Sequence, residues 1–74
     1  MNDKKFITIV YFLAFNRFLK ESYEDHDPPM RYTIKRRIKN LCSSAVILKI
    51  EHYEGKLIHQ EILNKGEWDK FKMM

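Results

Sequence analysis

The sequence is poor in the residues that build cross-links, tight loops and metal sites. It has one cysteine, Cys42, and only two glycines and two prolines among 74 residues. A single thiol cannot form an internal disulfide, and a free thiol is typical of a reducing compartment, so we expect a cytoplasmic protein. With Gly55 and Gly66 as its only glycines, the chain has no glycine-rich loop of the kind that cradles phosphate groups.

The residue types that bind metals or act as nucleophiles are present, but they lack the usual spacing. No CxxC or HxxxH pattern occurs, and nothing in the sequence pairs Cys42 with a histidine base. The carboxylates Glu51 and Glu61 show no feature that sets them apart from ordinary surface charges. We therefore expect a non-enzymatic protein with no catalytic residue, no metal and no cofactor.

The longest apolar run extends from Phe6 to Phe15 and follows two lysines. This arrangement is similar to the start of a signal peptide, but no small-residue cleavage site follows it. The run is also too short to span a bilayer. We interpret it as part of the protein core and expect no membrane partner.

The chain does contain enough apolar material for a small globular domain. Hydrophobic residues make up 45% of it and aromatic residues 14%, which is more than disordered segments contain. At this length, folding buries only about 60% of the surface of the unfolded chain, so the core must be small. We predict one domain over residues 1–74.

The clearest secondary-structure signal lies in residues 45–63. Two runs rich in Val, Ile and Leu flank the step Glu54-Gly55, and apolar and charged residues alternate within them. Alternation of this kind is typical of half-buried strands, so the segment predicts an antiparallel β-hairpin.

The length of the hairpin loop determines which residues share a face. A three-residue loop that ends at Gly55 pairs Ile50 with Ile58 and makes one face largely apolar. The other face, which includes Glu51, is then expected to be mostly solvated. In this register His52 and His59 point to opposite faces, which excludes a shared metal ion.

Residues 5–24 allow two interpretations. Residues 5–13 are mostly β-branched or aromatic, which predicts a strand, but no glycine or proline marks its end. Beyond them, apolar residues recur at helical spacing: Phe15, Phe18, Leu19 and Tyr23. We expect a strand followed by a helix, with one long helix over about residues 4–24 as the alternative.

A further helix is predicted over residues 30–42. Asp27 suits the N-cap position and Pro28 the first helical position. One apolar stripe follows at helical spacing: Met30, Ile34, Ile38 and Leu41. After the hairpin, the segment GEWDKFKMM predicts a short terminal helix with Trp68 and Phe71 three residues apart.

Together these elements predict a small, single-domain α+β layer fold. An N-terminal strand, or a long helix, is followed by helices, by an antiparallel β-hairpin in the C-terminal half and by a short terminal helix. In such a fold the helices cover one face of a small sheet.

The net charge is +4, and cations are dense in the predicted helix 30–42. Arg31, Lys35 and Lys39 lie at successive i+4 positions, where like charges oppose helix formation by roughly 0.2–0.5 kcal/mol per pair. Such a row indicates either a binding partner or a compensating acidic neighbour such as residues 21–27. The candidate partner- or phosphate-binding residues are Arg31, Tyr32, Lys35, Arg36, Arg37 and Lys39.

These features favour a binding protein over an enzyme. We expect it to dock onto a larger macromolecular partner, such as nucleic-acid-handling machinery, and to modulate or inhibit that partner. The alternative is direct binding of RNA or DNA through the helix 30–42. An uncovered edge of the hairpin would also allow pairing with a partner strand or with a second copy in a homodimer.

Overall fold

Segments rich in β-branched residues become the two central strands of one antiparallel sheet. The computed structural model describes residues 5–74. In chain order its elements are β1 (Phe6–Ala14), β2 (Arg17–Asp25), α1 (Arg31–Leu41), β3 (Val46–Glu54), β4 (Lys56–Ile62) and α2 (Lys65–Lys72). The order of the strands in the sheet is β2-β1-β3-β4, and all neighbours are antiparallel.

The α+β composition agrees with the sequence analysis, but the predicted fold class is wrong. Helices were expected to precede the only hairpin, whereas a first hairpin, β1–β2, comes before α1. The segment expected to be helical is the strand β2, in which Leu19 and Tyr23 share a sheet face because they pair with Phe12 and Thr8. A spacing of four residues fits both the helical and the strand period, which is why it misled.

The turn between β1 and β2 explains why no glycine or proline marks the end of the first strand. Ala14 pairs with Arg17, and the two residues between them have positive φ angles, 54° at Phe15 and 59° at Asn16. Two such residues define a type I′ turn, in which Asn-Gly is the usual sequence. Because Phe15 replaces the expected turn residue, the sequence gives little sign of a hairpin here.

The run from Phe6 to Ala14 is apolar on both sides because both faces of β1 are covered. Alternate residues face α1 and form the main core with residues of α1, of β3 and of the segment between them: Val10, Phe12, Ala14, Ile34, Ile38, Ala45 and Ile50. On the other face Tyr11 contacts Trp68 and Phe71 of α2, with ring centroids 4.9 Å and 5.5 Å apart. Within residues 5–74, no helix is both long enough and apolar enough to cross a membrane.

The N-cap of helix α1 lies three residues later in the chain than predicted. Arg31 is the first helical residue, and Met30 occupies the N-cap position without a side-chain hydrogen bond. The predicted first helical residue, Pro28, precedes Pro29, and a residue that precedes proline disfavours the helical region, which opposes a helix start at this position. Of the predicted apolar stripe, Ile34 and Ile38 are buried, whereas Met30 and Leu41 are exposed.

The β3–β4 hairpin is present, but its predicted register is wrong. Glu54 pairs with Lys56 across Gly55, whose φ is 75°, and the register shifts between His52 and Tyr53. As a result Ile50 pairs with Glu61 and His52 with His59. The two histidines therefore share a face, with ring centroids 6.1 Å apart, and are not separated as expected.

The predicted terminal helix is present as α2. The side chain of Asn64 caps it by accepting a hydrogen bond from the backbone N–H of Glu67 at 3.2 Å. Trp68 is buried, and Phe71 packs edge-on against Phe18 of β2 at 5.3 Å. The helices therefore lie on opposite faces of the sheet and not on one face.

Candidate functional site

The cations of α1 lie on different sides of the helix and meet different neighbours. Arg31, at the end of α1 nearest β4, forms an ion pair with Glu61, and its Nε donates to Glu61 Oε1 at 3.2 Å. Glu61 lies in β4, outside the acidic stretch 21–27. This arginine is therefore matched within the protein, although not by the residues that the sequence indicated.

Arg37 points to the other side of α1, toward β2. Its guanidinium donates two hydrogen bonds to the carboxylate of Asp25, at 2.8 Å and 3.0 Å, and lies 4.9 Å from the centre of the Tyr23 ring. The hydrogen bond from Arg37 lowers the pKa of Asp25 below its ordinary value. Arg37, like Arg31, therefore already has a carboxylate partner within the protein.

The other four predicted residues lie together on the solvent side of α1. Tyr32, Lys35, Arg36 and Lys39 border one shallow depression with Asn40, and we call these five residues the α1 outer surface. The Arg36 guanidinium lies 5.9 Å from the centre of the Tyr32 ring. Tyr32 is 67% exposed. Within residues 5–74, Lys35, Arg36 and Lys39 form no ion pair.

Lys35 and Lys39 also border a second depression, which we call the lysine-edged groove. Its other lining residues are Ala45, Val46, Ile47 and Leu63. The groove exists because β4 ends at Ile62, opposite Lys49, so the start of β3 has no strand beside it on this side. Val46 is therefore exposed next to two lysines. The arrangement suits an acidic segment that also carries an apolar side chain.

A buried charged network on the opposite face was missed by the sequence analysis. Lys49 Nζ lies 2.8 Å from Glu51, and the hydroxyls of Tyr11 and Tyr53 donate to Glu51 Oε1 at 2.9 Å and 3.2 Å. The ammonium also lies 4.7 Å from the centre of the Trp68 ring. The expectation that Glu51 would face solvent is wrong. The alternation of Lys49, Glu51 and Tyr53 along one strand is the signal that places them on one face.

Burial and hydrogen bonding change the acidity of this network. Burial, together with the hydrogen bond to Glu51, raises the pKa of Tyr11 to about 12. Burial alone would raise the pKa of Glu51, but the hydrogen bonds from Lys49 and Tyr11 outweigh it and lower that pKa. Both groups therefore hold one protonation state near neutral pH, and the network ties α2 to the sheet.

Cys42 and the histidines do not come together. The Cys42 thiol lies 3.4 Å from the Ser44 hydroxyl, a contact that lowers the thiol pKa. His52 Nδ1 lies 3.1 Å from Thr8 Oγ1, near the far end of β3 and about 20 Å along the strand from Val46. Burial and the neighbouring His59 lower the pKa of His52. Residues 5–74 contain no group of three side chains placed to hold a metal ion.

Comparisons with protein-family models, with curated proteins and with solved structures find no match for this chain. Its function must therefore be inferred from the residues and contacts described above.

Proposed function

We propose that this protein is a non-enzymatic binding module that docks onto an acidic segment of a larger protein and thereby modulates or inhibits that partner. The binding site is the α1 outer surface with the adjoining lysine-edged groove. The observation that carries the proposal is the division of the α1 cations: Arg31 and Arg37 have carboxylate partners within the fold, whereas Lys35, Arg36 and Lys39 have none in the described part of the chain.

The row of like charges supports this role because it costs stability that the fold does not recover locally. Lys35 and Lys39 are four residues apart on one helix and repel one another. A carboxylate bound between them would relieve this repulsion. Arg36, held against the Tyr32 ring, presents a planar guanidinium that suits a bidentate contact with a second carboxylate.

The groove favours a protein partner over a nucleic acid. The residues that line it include Val46, Ile47 and Leu63, whose apolar atoms would contact an apolar side chain of a peptide. Single-stranded nucleic acids are usually held by several exposed rings among cations. Here Tyr32 is exposed on α1, whereas Tyr53 donates a hydrogen bond to Glu51 on the opposite face.

The proposal can be tested by titrating the labelled full chain with three probes. These are an acidic peptide containing leucine and phenylalanine, a single-stranded RNA and a DNA duplex. We expect the peptide to bind and to shift the amide NMR signals of Lys35, Lys39, Val46 and Ile47. Substituting Lys35→Ala with Lys39→Ala should weaken peptide binding at least tenfold, because it removes both charges at the groove edge.

A matched control removes two exposed lysines from the other helix, Lys70→Ala with Lys72→Ala. Both double variants lower the net charge by the same amount, and alanine suits both helices. Equal weakening by the two variants would contradict a local site. Direct nucleic-acid binding would instead appear as RNA or duplex affinity that falls with salt, with a logarithmic slope of about −0.7 to −0.9 per phosphate contact. That result, without peptide binding, would replace the proposal.

A further inference from the structure

We infer that the acidic segment bound at α1 extends past the lysine-edged groove and places a second, large apolar side chain beside Phe15. This inference rests on the proposed function and makes it more specific. It gives the partner segment two apolar side chains, one for each depression, and a spacing between its carboxylate and the second of them. Phe15, at the tip of the β1–β2 hairpin, is then a binding residue.

Phe15 is an unusual residue for the position that it occupies. Its φ is 54°, in the left-handed region that asparagine and glycine adopt readily and that an aromatic residue rarely adopts. The residue is also 66% exposed, so packing within the protein recovers little of this conformational cost. A backbone outlier that the fold itself does not require points to a role in binding.

Phe15 borders a depression between the tip of the hairpin and the end of α1. The lining residues of this depression include Leu13, Phe15, Cys42 and Val46, and we call it the Phe15 depression. Val46 also lines the lysine-edged groove and is 40% exposed. The two depressions are therefore neighbours that share one exposed apolar side chain, so a single bound segment can occupy both.

Charge determines which occupant fits the combined surface. Lys35 and Lys39 border the groove, and within residues 5–74 neither forms an ion pair. A second copy of this chain, related by a two-fold axis at the groove, would bring its own lysines against these. A segment with both carboxylates and apolar side chains would instead pair with the lysines and cover the apolar atoms. Asn16 and Ser44 also line the Phe15 depression and suit the polar backbone of a peptide.

The position of the Phe15 depression relative to α1 sets a spacing in the partner segment. Cys42 follows Lys39 by three residues, which corresponds to roughly 5 Å along the helix axis. An extended peptide rises about 3.3 Å per residue, and the lysine side chain adds to the reach. A carboxylate at Lys39 and an apolar side chain beside Phe15 should therefore lie about two to four residues apart.

The turn supplies a variant that separates binding from folding. Phe15→Asn removes the ring, and asparagine tolerates positive φ, so the variant should be at least as stable as the wild type in thermal unfolding. We expect it to bind the acidic peptide about tenfold more weakly, a loss typical of removing a buried anchor side chain. Phe15→Leu keeps an apolar side chain at this position and should retain most of the affinity.

A double-mutant cycle shows whether Phe15 contacts the peptide directly. The probes are two versions of the acidic peptide that contains leucine and phenylalanine, with glutamate pairs three residues from the phenylalanine on both sides. In the second version alanine replaces the phenylalanine. Phe15→Asn should weaken binding of the first peptide about tenfold and of the second by less than about twofold, because two groups in contact are not additive.

Two results would overturn the inference. The first is equal affinity of the wild type and Phe15→Asn for the phenylalanine peptide. The second is equal weakening of both peptides by Phe15→Asn. If Lys35→Ala with Lys39→Ala still weakens binding in either case, the proposed function stands without the inference. Absence of peptide binding would overturn both. A loss with Phe15→Asn but not with the lysine variant would support the contact at Phe15 and contradict the lysine site.

Discussion

The two hairpins of the sheet each join a central strand to an edge strand, yet they are built differently. The β1–β2 hairpin pairs nine residues without a shift, and a two-residue turn of Phe15 and Asn16 closes it. The β3–β4 hairpin has a glycine at its tip and a register shift between His52 and Tyr53. The β1–β2 hairpin thus has regular pairing although its turn sequence is unfavourable. The β3–β4 hairpin has irregular pairing although its turn contains a favourable glycine.

This contrast shows where each hairpin obtains its stability. Both faces of β1 are covered, so burial of its side chains holds β1–β2 in register despite the strained turn. β4 contributes little to the core, and its side chains stay in contact with solvent. The first hairpin is therefore held in register by packing, whereas the edge strand of the second contributes much less burial. Three predictions, in order of decreasing effect, test this contrast.

The largest effect is expected from truncating a core side chain of the first hairpin. Phe12 is 2% exposed, so Phe12→Ala should lower the free energy of unfolding by about 3–5 kcal/mol. Leu57→Ala, at a β4 residue that is 42% exposed, should cost less than about 1 kcal/mol. Urea unfolding followed by circular dichroism gives both values.

A domain of this size has a small free energy of unfolding, so Phe12→Ala could leave no folded protein to measure. Phe12→Leu supplies a milder change, with an expected loss of about 1 kcal/mol. A larger loss for Leu57→Ala than for Phe12→Leu would contradict the contrast between a packed and a solvent-exposed hairpin.

A smaller effect, dependent on pH, is expected at the network on β3. Glu51→Gln leaves the buried ammonium of Lys49 without its counter-ion and should cost about 3 kcal/mol at pH 7. The pKa of Glu51 is lowered in the folded protein, so its contribution is fully present above the ordinary glutamate pKa of about 4.3. It is lost as pH falls through the folded-state pKa.

The difference between wild type and Glu51→Gln should therefore shrink as pH is lowered from 6 to 3, measured by urea unfolding at each pH. Glu67→Gln, at the exposed pair with Lys70, is the control and should change stability by less than about 0.5 kcal/mol. A pH-independent difference at Glu51 would show that its charge does not stabilise the fold.

The smallest effects, of opposite sign, are expected at the two turns. Phe15→Asn with Asn16→Gly creates the usual type I′ sequence and should raise stability by about 1 kcal/mol. Gly55→Ala places a side chain at a φ of 75° and should lower it by about 1 kcal/mol, even though no atom lies within 4 Å of the added Cβ.

Gly55→Asn serves as the control for the second turn, because asparagine tolerates positive φ better than alanine and should lose less stability. Thermal unfolding is sufficient to rank all three variants. A gain at Gly55, or a loss at Phe15, would mean that backbone conformation does not limit these turns.

The sequence predicts elements well where composition and burial agree. β1, α1 and α2 lie within a few residues of their predicted positions, because each has a strong apolar pattern. The sequence-based prediction is wrong at β2, because the spacing of Leu19 and Tyr23 fits a helix and a strand equally. The turn at Phe15 also contains no glycine or proline that would indicate a hairpin. The sequence pattern also does not predict the register of β3–β4, because the shift after His52 depends on pairing with the rest of the sheet.

The positions of the candidate residues on α1 were predicted in part. Tyr32, Lys35, Arg36 and Lys39 do lie together on the exposed side of α1. The partner of Arg37, Asp25, belongs to the acidic stretch 21–27 that the sequence indicated as a compensating neighbour. The partner of Arg31, Glu61, could not be predicted, because it lies in a strand whose register was misassigned. The groove beside Lys35 depends on where β4 ends, which the sequence pattern does not determine.

Trp68 has a practical consequence, because it is the sole tryptophan of the chain and its ring lies over the Lys49 ammonium. Its fluorescence reports the environment at one location, between α2 and the sheet. Detachment of the terminal helix would thus give an optical signal distinct from the loss of β structure. A stopped-flow experiment that records both signals would show whether α2 leaves the sheet before the strands separate.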